Sequence, residues 1–316
     1  MQKPNVLSGP YIDRAAHLRK DEQFIRNARR DPSSRLVPLW RSRNLLRRHS
    51  EGLAAAVLPV GHHLFRSVAD STFVLLGRFR GHTYFAVNIE SAEPPATDRD
   101  TRFEDLRLAA GQLPRDEAGL LAYARAMVSW QRRHRYCGVC GAQTRPADGG
   151  HVIRCIDETC AAQHFPRLDP AIIVLVTDGK RALLGRQAAW PEGRYSTIAG
   201  FVEPGESLED AVAREVQEET GVEVLRSDYH SSQPWPFPSS LMIGYTALAK
   251  PGVVAEADDE LEDVRWFTRE EIASGFPGLP PPQSVSFRLI EDWYDAEAPR
   301  RLRDTAGVQF WTPPAR

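Results

Sequence analysis

Hydrophobic and polar positions follow two different periods along the N-terminal part of the chain. Short apolar runs separated by Gly, Asp or Arg-Gly are typical of strands joined by turns, and they fall at Leu53–Val60, Thr72–Gly77 and Thr83–Ile89. Residues 116–133 instead repeat apolar side chains at helical spacing. The residues at that spacing are the apolar Leu120, Leu121, Ala124, Met127 and Val128, followed by the polar Gln131. These elements predict a small α+β region.

The C-terminal part begins with an uninterrupted apolar run. Ala171–Val176 is rich in β-branched residues, which predicts a strand buried on both faces. Helical spacing predicts helices over Leu208–Thr220 and Ser284–Ala296. Further strands are predicted at 182–185, 195–199, 242–248 and 264–267. Strands alternating with helices indicate a second, mixed α/β unit.

Composition limits the class of protein. The 316 residues suffice for about two domains, and 42% hydrophobic with 26% charged residues is ordinary for a soluble globular protein. The formal net charge of −2 provides no overall field that attracts DNA or a membrane. No apolar run approaches the length of a membrane span, and the polar N-terminus lacks the apolar core of a signal peptide. We therefore expect a cytoplasmic protein without DNA or membrane partners.

The four cysteines form two close pairs, Cys137-x2-Cys140 and Cys155-x4-Cys160. Nothing points to secretion, so thiolate ligands of a tetrahedral Zn²⁺ are favoured over disulfides. Four thiolates leave no open position for catalysis, which predicts a structural zinc. An RNA-contacting face is the alternative, because basic side chains surround the pairs, although such clusters are more often solvated surface. They are Arg132, Arg133, His134, Arg135, Arg145 and Arg154.

The second predicted helix carries an unusual set of carboxylates. Ser207 with Asp210 three residues later predicts a capping box at its start, and Gly221 predicts its end. Glu215 and Glu219 lie four residues apart and therefore stack on one side of the helix, with Glu218 one position round. Stacked carboxylates repel each other, so this arrangement indicates a compensating positive charge.

A divalent cation would supply that charge. A glycine-anchored loop brings Glu206 beside the helix, and Mg²⁺-type cations take carboxylate oxygens while keeping waters. Such cations bridge phosphate oxygens and activate water, as cleavage of a pyrophosphate requires. Arg214 with solvent is the simpler explanation of the acidic face, and we expect this arginine to orient the carboxylates.

The segment Gly200–Val222 resembles a known family. It reads Gly-x5-Glu-x7-Arg-Glu-U-x-Glu-Glu-x-Gly-U, where U is aliphatic, and this is the Nudix box with every fixed position met. The resemblance implies the Nudix α/β/α fold. It also implies hydrolysis of a nucleoside diphosphate linked to another moiety, without specifying which one.

A second motif narrows the resemblance. Ser232–Ser240 reads Ser-Gln-Pro-Trp-Pro-Phe-Pro-Ser-Ser, which resembles the signature of the NADH pyrophosphatase branch of Nudix hydrolases. Its aromatics could stack on a base or could pack on the core. That branch also has an N-terminal domain, a four-cysteine zinc ribbon and an entry segment similar to Phe165–Pro170. The resemblance covers roughly residues 35–295.

The resemblance implies a domain order and an oligomeric state. The fold class is α+β, a Nudix sandwich at 169–295 preceded by a smaller α+β domain at 1–128 and a zinc ribbon at 129–168. A tail at 296–316 follows. The N-terminal domain is expected to serve dimerisation and packing, because the family active site is built across a homodimer.

The resemblance also implies site residues. The divalent-metal ligands fall on Glu215, Glu219 and Glu260 with the carbonyl of Ala199, and Glu218 is a further catalytic candidate. Phe201 is expected to stack on nicotinamide. The implied substrate contacts are Phe165, Phe201, Gln233, Pro234, Trp235, Pro236, Phe237, Pro238, Ser239, Ser240 and Ser286.

Three positions depart from the family pattern. The second zinc pair has four intervening residues where the family often has two. Phe165 stands where some members have Tyr, and Gly150 stands where a member with the shorter pair has a substrate-contacting Glu. These departures affect fine substrate contacts and leave the implied reaction class unchanged.

The sequence thus predicts a Mg²⁺- or Mn²⁺-dependent enzyme that cleaves NADH or NAD⁺ to nicotinamide mononucleotide and AMP. Removal of NAD caps from RNA at the same site is the first alternative, with the basic ribbon and Arg41–Arg48 guiding the RNA backbone. A broader ADP-ribose or dinucleotide pyrophosphatase is the second. A nucleotide-binding sensor without catalysis is the rival from another class, although a sensor need not keep stacked carboxylates.

Overall fold

A computed structural model describes residues 4–50, 52–66, 68–69, 72–250 and 260–311. The chain divides into two compact units. The N-terminal unit contains Val6–Leu168 and Pro234–Ser239, and the C-terminal unit contains Met1–Asn5, Asp169–Gln233 and Ser240–Arg316. Within the described ranges, no helix has the length and apolar character needed to cross a membrane.

The N-terminal unit is built on a mixed sheet with strand order β3-β2-β1-β6-β5, to which β4 and β7 add beside β1 and β2. Strands β1 and β6 run parallel, and the other pairs are antiparallel. The elements are β1 (Arg35–Trp40), β2 (Arg43–His49), β3 (Gly52–Ala55), β4 (Leu58–Pro59), β5 (Phe73–Phe79), β6 (His82–Ile89), β7 (Thr101–Glu104), α1 (Glu22–Ala28), α2 (Leu106–Ala109) and α3 (Arg115–Arg133).

Side chains of this sheet alternate between two cores, as the period of a strand requires. Val37 and Leu39 of β1 join the core that contains the predicted stripe of α3, whereas Leu36 joins the core on the other face. The predicted helix is therefore present, and its apolar stripe is buried. The predicted runs at 72–77 and 83–89 are strands β5 and β6, and the first predicted run divides into β3 and β4.

Strands β1 and β2 were not predicted. In β2 only Asn44, Leu45 and Leu46 are buried, and charged residues flank them. Three buried residues flanked by arginines form an apolar run that is too short to indicate a strand. The segment is a strand because it pairs with β1 and β3.

The zinc ribbon belongs to the N-terminal unit and forms a separate antiparallel sheet with order β10-β9-β8. Its strands are β8 (Thr144–Ala147), β9 (Val152–Cys155) and β10 (Gln163–His164). The two cysteine pairs lie at the turns around these strands. The predicted subdivision of the chain at 128, 168 and 295 stays a prediction.

The C-terminal unit contains a mixed sheet of order β14-β15-β11-β12-β16, with β13 paired to β11. Strands β11 and β15 are parallel. The elements are β11 (Asp169–Thr177), β12 (Arg181–Arg186), β13 (Ile198–Phe201), α4 (Leu208–Thr220), β14 (Val224–Trp235), β15 (Ser240–Ala249), β16 (Asp263–Thr268), α5 (Arg269–Ser274) and α6 (Val285–Asp295).

Strand β11 forms the centre of an α/β/α sandwich. Ile172 and Val174 pack in the core that holds the apolar side of α4, and Ile173 and Leu175 pack in the core that holds α6. The prediction that Ala171–Val176 is buried on both faces is confirmed. The predicted α+β fold class, with a Nudix sandwich after the ribbon, is confirmed as well.

The alternating prolines and aromatics of Ser232–Ser240 suggest a stiff, extended loop, and the structure differs from that expectation. The first residues of this segment complete β14, and a turn over 236–239 leads into β15. Strand β14 is at the edge of its sheet, where Pro234 removes no ladder hydrogen bond that the fold needs. Alternating prolines concealed this strand in the sequence.

Candidate active site and zinc site

The four cysteine sulfurs of the ribbon converge on one point. Cys137 Sγ lies 3.8 Å from Cys160 Sγ, and Cys140 Sγ lies 3.4 Å from Cys155 Sγ. All four ligand atoms lie within 4.8 Å of one another, and the thiols are not joined in disulfides. A tetrahedral Zn²⁺ with Zn–S bonds of about 2.3 Å places its sulfurs about 3.8 Å apart. The donor set and its spacing therefore fit Zn²⁺.

Local hydrogen bonds shape both cysteine turns. In the first, hydrogen bonds to the Cys137 sulfur from the N–H groups of Cys140 and Val139, and then from the His164 side chain, lower the pKa of its thiol to about 6, which favours the thiolate that a metal binds. In the second, the Asp157 carboxylate accepts hydrogen bonds from the N–H groups of Thr159 and Cys160, at 2.8 and 3.2 Å. This Asp-closed turn accommodates the longer spacing of the second pair.

Helix α4 begins and ends where its sequence predicts. The Ser207 hydroxyl accepts a hydrogen bond from the Asp210 N–H at 3.1 Å, and the Asp210 carboxylate accepts one from the Ser207 N–H at 3.0 Å. Gly221 ends the helix with a φ of 67°, which favours glycine. Burial of Ala211 and Val216 against the sheet fixes the rotation of the helix and hence the direction of its glutamates.

Arg214 organises the carboxylates of the box. Its Nε and Nη2 donate to Glu206, at 2.5 and 3.0 Å, and its Nη1 donates to Glu215 and Glu218, each at 2.9 Å. Nη2 also donates to the Phe201 carbonyl at 2.9 Å. These five hydrogen bonds match the five N–H groups of a guanidinium. Arg214 therefore connects the loop, the helix and β13 in one network.

Gly200 permits the close approach of β13 and α4. It pairs with Ile172 in the sheet, and a Cβ atom at position 200 would overlap the carboxylate of Glu215. The glycine that opens the box thus makes room for a glutamate fifteen positions later. Any larger side chain would displace that carboxylate.

Burial and charge affect the acidic residues differently. The Arg214 guanidinium and the Glu203 N–H lower the pKa of Glu206 to about 2. Burial raises the pKa of Glu215, and repulsion from Glu218 and Glu260 adds to that rise, against the effect of Arg214. Glu219 is only 4% exposed. Hard oxygen ligands in a region of excess negative charge fit Mg²⁺ or Mn²⁺.

Glu260 comes from a segment that the sequence alone did not distinguish from its acidic surroundings. Two residues later, Glu262 donates its N–H to the Arg186 carbonyl at 2.9 Å and forms an ion pair with the Arg186 side chain. The buried Tyr195 hydroxyl donates to the Asp263 carboxylate. These contacts anchor the segment, and no sequence signal marks them because their partners are far from it along the chain.

The carboxylates predicted to bind the divalent cation do not converge at metal-ligand spacing, whereas the cysteine sulfurs do. In the described part of the chain, the four cysteines are the one group of His, Cys, Asp or Glu ligands close enough to hold a metal ion. Glu206, Glu215 and Glu218 of the box bond to Arg214 instead. Ala199 lies on β13 opposite Ile173, next to Gly200.

Two predicted substrate residues are buried and bonded to protein. Gln233 is 1% exposed, donates to the Gln283 carbonyl at 2.8 Å and accepts from the Val285 N–H at 2.9 Å. Ser286 is also buried, and its hydroxyl lies 2.9 Å from Ser196 Oγ and 2.8 Å from Thr197 Oγ1. Both side chains position α6 in this structure.

The aromatic residues of the proline-rich segment pack within the N-terminal unit. Trp235 and Phe237 are half-buried against its core and meet edge to face, with ring centroids 5.0 Å apart. Arg125 covers the Phe237 ring at 4.7 Å and donates to the Pro236 carbonyl at 2.8 Å. Pro238 is exposed, Pro234 and Ser239 are partly exposed, and Ser240 is buried.

Two predicted aromatic contacts present open faces. Phe165, after the ribbon, is 52% exposed, and Phe201, at the end of β13, is 59% exposed. Exposed aromatic rings of this kind can stack on a planar base. Their assignment as substrate contacts stays a prediction, as do the other site assignments.

The fold and the acidic helix define a Nudix hydrolase, and three domain models match the chain. Residues 33–130 match the NADH pyrophosphatase-like rudimentary NUDIX domain, residues 132–165 match the NADH pyrophosphatase zinc ribbon domain and residues 167–290 match the NUDIX domain. The ribbon match and the converged sulfurs together confirm the predicted structural zinc site.

Characterised relatives extend the match. NAD-capped RNA hydrolase NudC of Stutzerimonas stutzeri is 42% identical over 216 residues, which cover 68% of this chain and 75% of the relative. NudC of Deinococcus radiodurans is 40% identical over 242 residues, covering 75% and 81%. Human NAD-capped RNA hydrolase NUDT12 is 42% identical over 197 residues, and the match spans 58% of this chain and 43% of that relative.

The chain belongs to the NADH pyrophosphatase branch of the Nudix hydrolase family, the branch that includes NudC. The family and the enzyme class predicted from the Nudix box and the proline-aromatic signature are thereby confirmed. The chain spans less than half of the human relative, so the activity of that whole protein does not transfer to it directly.

Proposed function

We propose that this protein is a divalent-metal-dependent hydrolase that cleaves the pyrophosphate of NADH or NAD⁺ to nicotinamide mononucleotide and AMP, and that the same site removes NAD caps from RNA. The observation that carries the proposal is the convergence of Glu206, Glu215 and Glu218 on Arg214 beside buried Glu219. The printed names of the NudC relatives support NAD-capped RNA as a substrate class.

In this proposal, Glu215, Glu219 and Glu260 hold Mg²⁺ or Mn²⁺ with the Ala199 carbonyl. Such cations neutralise a diphosphate and lower the pKa of an attacking water. Arg214 holds Glu215 and Glu218 in position before substrate enters, so less reorganisation is needed at the moment of reaction. Glu218 is exposed and is the candidate further ligand or proton acceptor.

Substrate recognition is assigned to the exposed aromatics. Phe201 stacks on nicotinamide, and Phe165 supplies a second aromatic contact. Gln233 and Ser286 act by positioning α6, because their side chains bond to protein. A homodimer and a cytoplasmic location are part of the same proposal and follow from the family resemblance and the composition.

Product release from three substrates, measured side by side with Mg²⁺ or Mn²⁺, tests this function: AMP from NADH and from ADP-ribose, and nicotinamide mononucleotide from a short NAD-capped RNA, which keeps the adenosine as its 5′-monophosphate end. We expect NADH to be cleaved faster than ADP-ribose, because ADP-ribose lacks the nicotinamide that Phe201 contacts. A Phe201→Ala variant should raise KM for NADH and leave KM for ADP-ribose nearly unchanged.

A preference for ADP-ribose would refute the NADH assignment and indicate a broader dinucleotide pyrophosphatase. Cleavage of NADH without release of nicotinamide mononucleotide from capped RNA would restrict the activity to small-molecule substrates. Tight NAD binding in the presence of metal without AMP release would refute catalysis and favour a nucleotide sensor.

A further inference from the structure

A polar groove crosses the N-terminal unit. It consists of two cavities of about 450 and 330 Å³, which share Asn88, Glu90, Arg132 and Arg135 as lining residues. Each cavity falls within or near the size range of small-ligand pockets. Since they share these residues, they form one elongated groove rather than two isolated holes.

The groove joins two basic segments that are far apart in the sequence. Arg41 lies in the turn between β1 and β2, whereas Arg132 lies in the last turn of α3 and Arg135 precedes the first cysteine turn. Arg132 Nη1 donates to the Ser42 hydroxyl at 3.2 Å, so the β1–β2 turn and the end of α3 are in contact. The fold therefore places three arginines along one surface.

The uncharged side chains that line the groove can stack on, or hydrogen-bond to, the bases of a nucleic acid. Tyr136 lines the larger cavity and is 64% exposed, which leaves its ring open for stacking. The amide side chains of Asn88, Gln131 and Gln143 line the same cavity. Asn88 and Gln131 donate to Glu90 and to the Gly150 carbonyl, so they offer their amide oxygens to base edges, together with the Gln143 amide. Arginines beside a stacking ring and amides form a combination typical of single-stranded nucleic-acid sites.

Glu90 is the acidic residue in this lining, and it partly neutralises the groove. Its carboxylate forms an ion pair with Arg135 and accepts a hydrogen bond from the Asn88 amide at 3.1 Å. Both the Arg135 and Glu90 side chains are more than half exposed. A surface ion pair of this kind is weak, so a phosphate can compete for the arginine.

We propose that this groove binds single-stranded RNA, with Arg41, Arg132 and Arg135 on phosphates and Tyr136 stacked on a base. The elongated shape favours a strand over a free nucleotide, and the charge is complementary to its backbone. The choice of RNA rests on the proposed function, in which capped RNA is a substrate. The groove would hold the body of that RNA.

Fluorescence anisotropy of an uncapped, labelled RNA decamer with the full-length zinc-loaded protein tests this inference. Arg132→Ala and Arg135→Ala should each weaken binding about three- to tenfold at low salt and reduce the slope of log K against log salt by about 0.7, the value for one contact to a single strand. Tyr136→Ala should weaken binding without changing that slope.

Arg133 provides a matched control for charge. It is exposed, directly follows Arg132 on the same helix end and lines neither cavity. Arg133→Ala should leave RNA binding within about twofold, although it removes the same charge. Glu90→Gln should instead tighten binding, because it releases Arg135 and removes a negative charge, and a gain of affinity cannot arise from unfolding.

Equal weakening by Arg132→Ala and Arg133→Ala would overturn the inference, because it would indicate diffuse attraction to the surface. Unchanged or weaker binding by Glu90→Gln would overturn it as well. NADH hydrolysis by the same variants should be unchanged. If the unaltered protein does not hydrolyse NADH, only the proposed function is refuted. The binding test is independent of that result, because the RNA decamer carries no cap to be cleaved.

Discussion

The zinc ribbon and the acidic helix gather their ligands in opposite ways. The cysteine sulfurs already lie at metal-ligand spacing and come from two turns of one small sheet. The carboxylates of the C-terminal unit come from α4 and a distant segment at Glu260, and Arg214 neutralises several of them. The four-cysteine site needs its metal ion to hold the ligands together, whereas Arg214 supplies positive charge to the carboxylates from within the protein.

This difference matches the two roles of metals in proteins. A closed four-thiolate site supplies folding free energy, whereas a catalytic site keeps open positions and exchanges its ion. The hydrophobic sandwich around β11 supports α4 without a cation, because Ala211, Val212 and Val216 are fully buried. We therefore expect metal removal to unfold one region and merely inactivate the other.

Loss of zinc should have the largest effect on stability. Cys155→Ser should reduce bound zinc from one ion per chain to a small fraction and lower the melting temperature strongly, since structural zinc contributes about 10–16 kcal/mol in small zinc domains. Zinc content by mass spectrometry and melting by circular dichroism measure both. Removal of Mg²⁺ from the unaltered protein should abolish activity reversibly and change melting by only a few degrees. Equal melting of the zinc-free variant and the parent would contradict this comparison.

Glu219→Gln should have the largest effect on catalysis. The substitution keeps the shape of a buried side chain and removes the charge proposed to hold the cation, so we expect turnover of NADH to fall about 100-fold or more. The fold should stay intact, as measured by melting. Glu223→Gln is the control, because Glu223 is exposed and pairs with Lys250. Full turnover by Glu219→Gln with an intact fold would exclude Glu219 as a metal ligand.

A pair of matched substitutions should shift stability in opposite directions when no divalent ion is present. The pKa of Glu206 is lowered to about 2 from 4.5 by Arg214, so its charge stabilises the fold above pH 4.5 and that contribution is lost as pH falls toward 2. Burial raises the pKa of Glu215, so its charge destabilises the fold at neutral pH.

Glu206→Gln should therefore lower the melting temperature at pH 7, and Glu215→Gln should leave it unchanged or raise it by about 1–3 °C. Both variants should lose activity. Melting curves at pH 7 and pH 4 measure the effect, and the loss caused by Glu206→Gln should shrink at the lower pH. Destabilisation of equal size by both variants would show that Arg214 outweighs burial at Glu215.

The parts of this molecule that follow local rules could be predicted from the sequence. Helix α4 obeys its capping box and its glycine stop, and the apolar run of β11 indicates burial on both faces. Spacing of the cysteines predicts their convergence because the ligands of each pair lie within a few residues. The same holds for the Nudix box, whose residues Gly200 and Glu215 meet through one strand and one helix.

Contacts between distant segments could not be predicted. Arg41 and Arg132 come together because β2 pairs with β1 and β7 while α3 packs on their sheet, and no periodicity records that pairing. The family resemblance implies that Gln233 is a substrate contact, and the structure buries it as a partner of the N-terminus of α6. Tertiary packing decides such positions, since an isolated strand or helix has no preference for them.

The smallest predicted effect concerns the segment that carries Glu260. The Tyr195 hydroxyl donates to Asp263, three residues after Glu260, and the Tyr195 ring packs edge to face on Phe267. Tyr195→Phe keeps the ring and removes this hydrogen bond, so Glu260 should lose part of its positioning. We expect Mn²⁺ to bind about three- to tenfold more weakly, with kcat at saturating metal nearly unchanged.

Tyr245→Phe separates positioning from general stability. Tyr245 is also a buried tyrosine whose hydroxyl donates to a carboxylate, that of Glu209 at 3.2 Å, but its partner lies in the first turn of α4. Both variants should lose a similar amount of stability, and only Tyr195→Phe should weaken Mn²⁺ binding, measured by electron paramagnetic resonance of the free ion. Equal Mn²⁺ affinity in the two variants would mean that Glu260 is positioned by the backbone bond to Arg186 alone, or that it does not bind the cation. A Glu260→Gln variant distinguishes these outcomes, because it weakens Mn²⁺ binding only if Glu260 is a ligand.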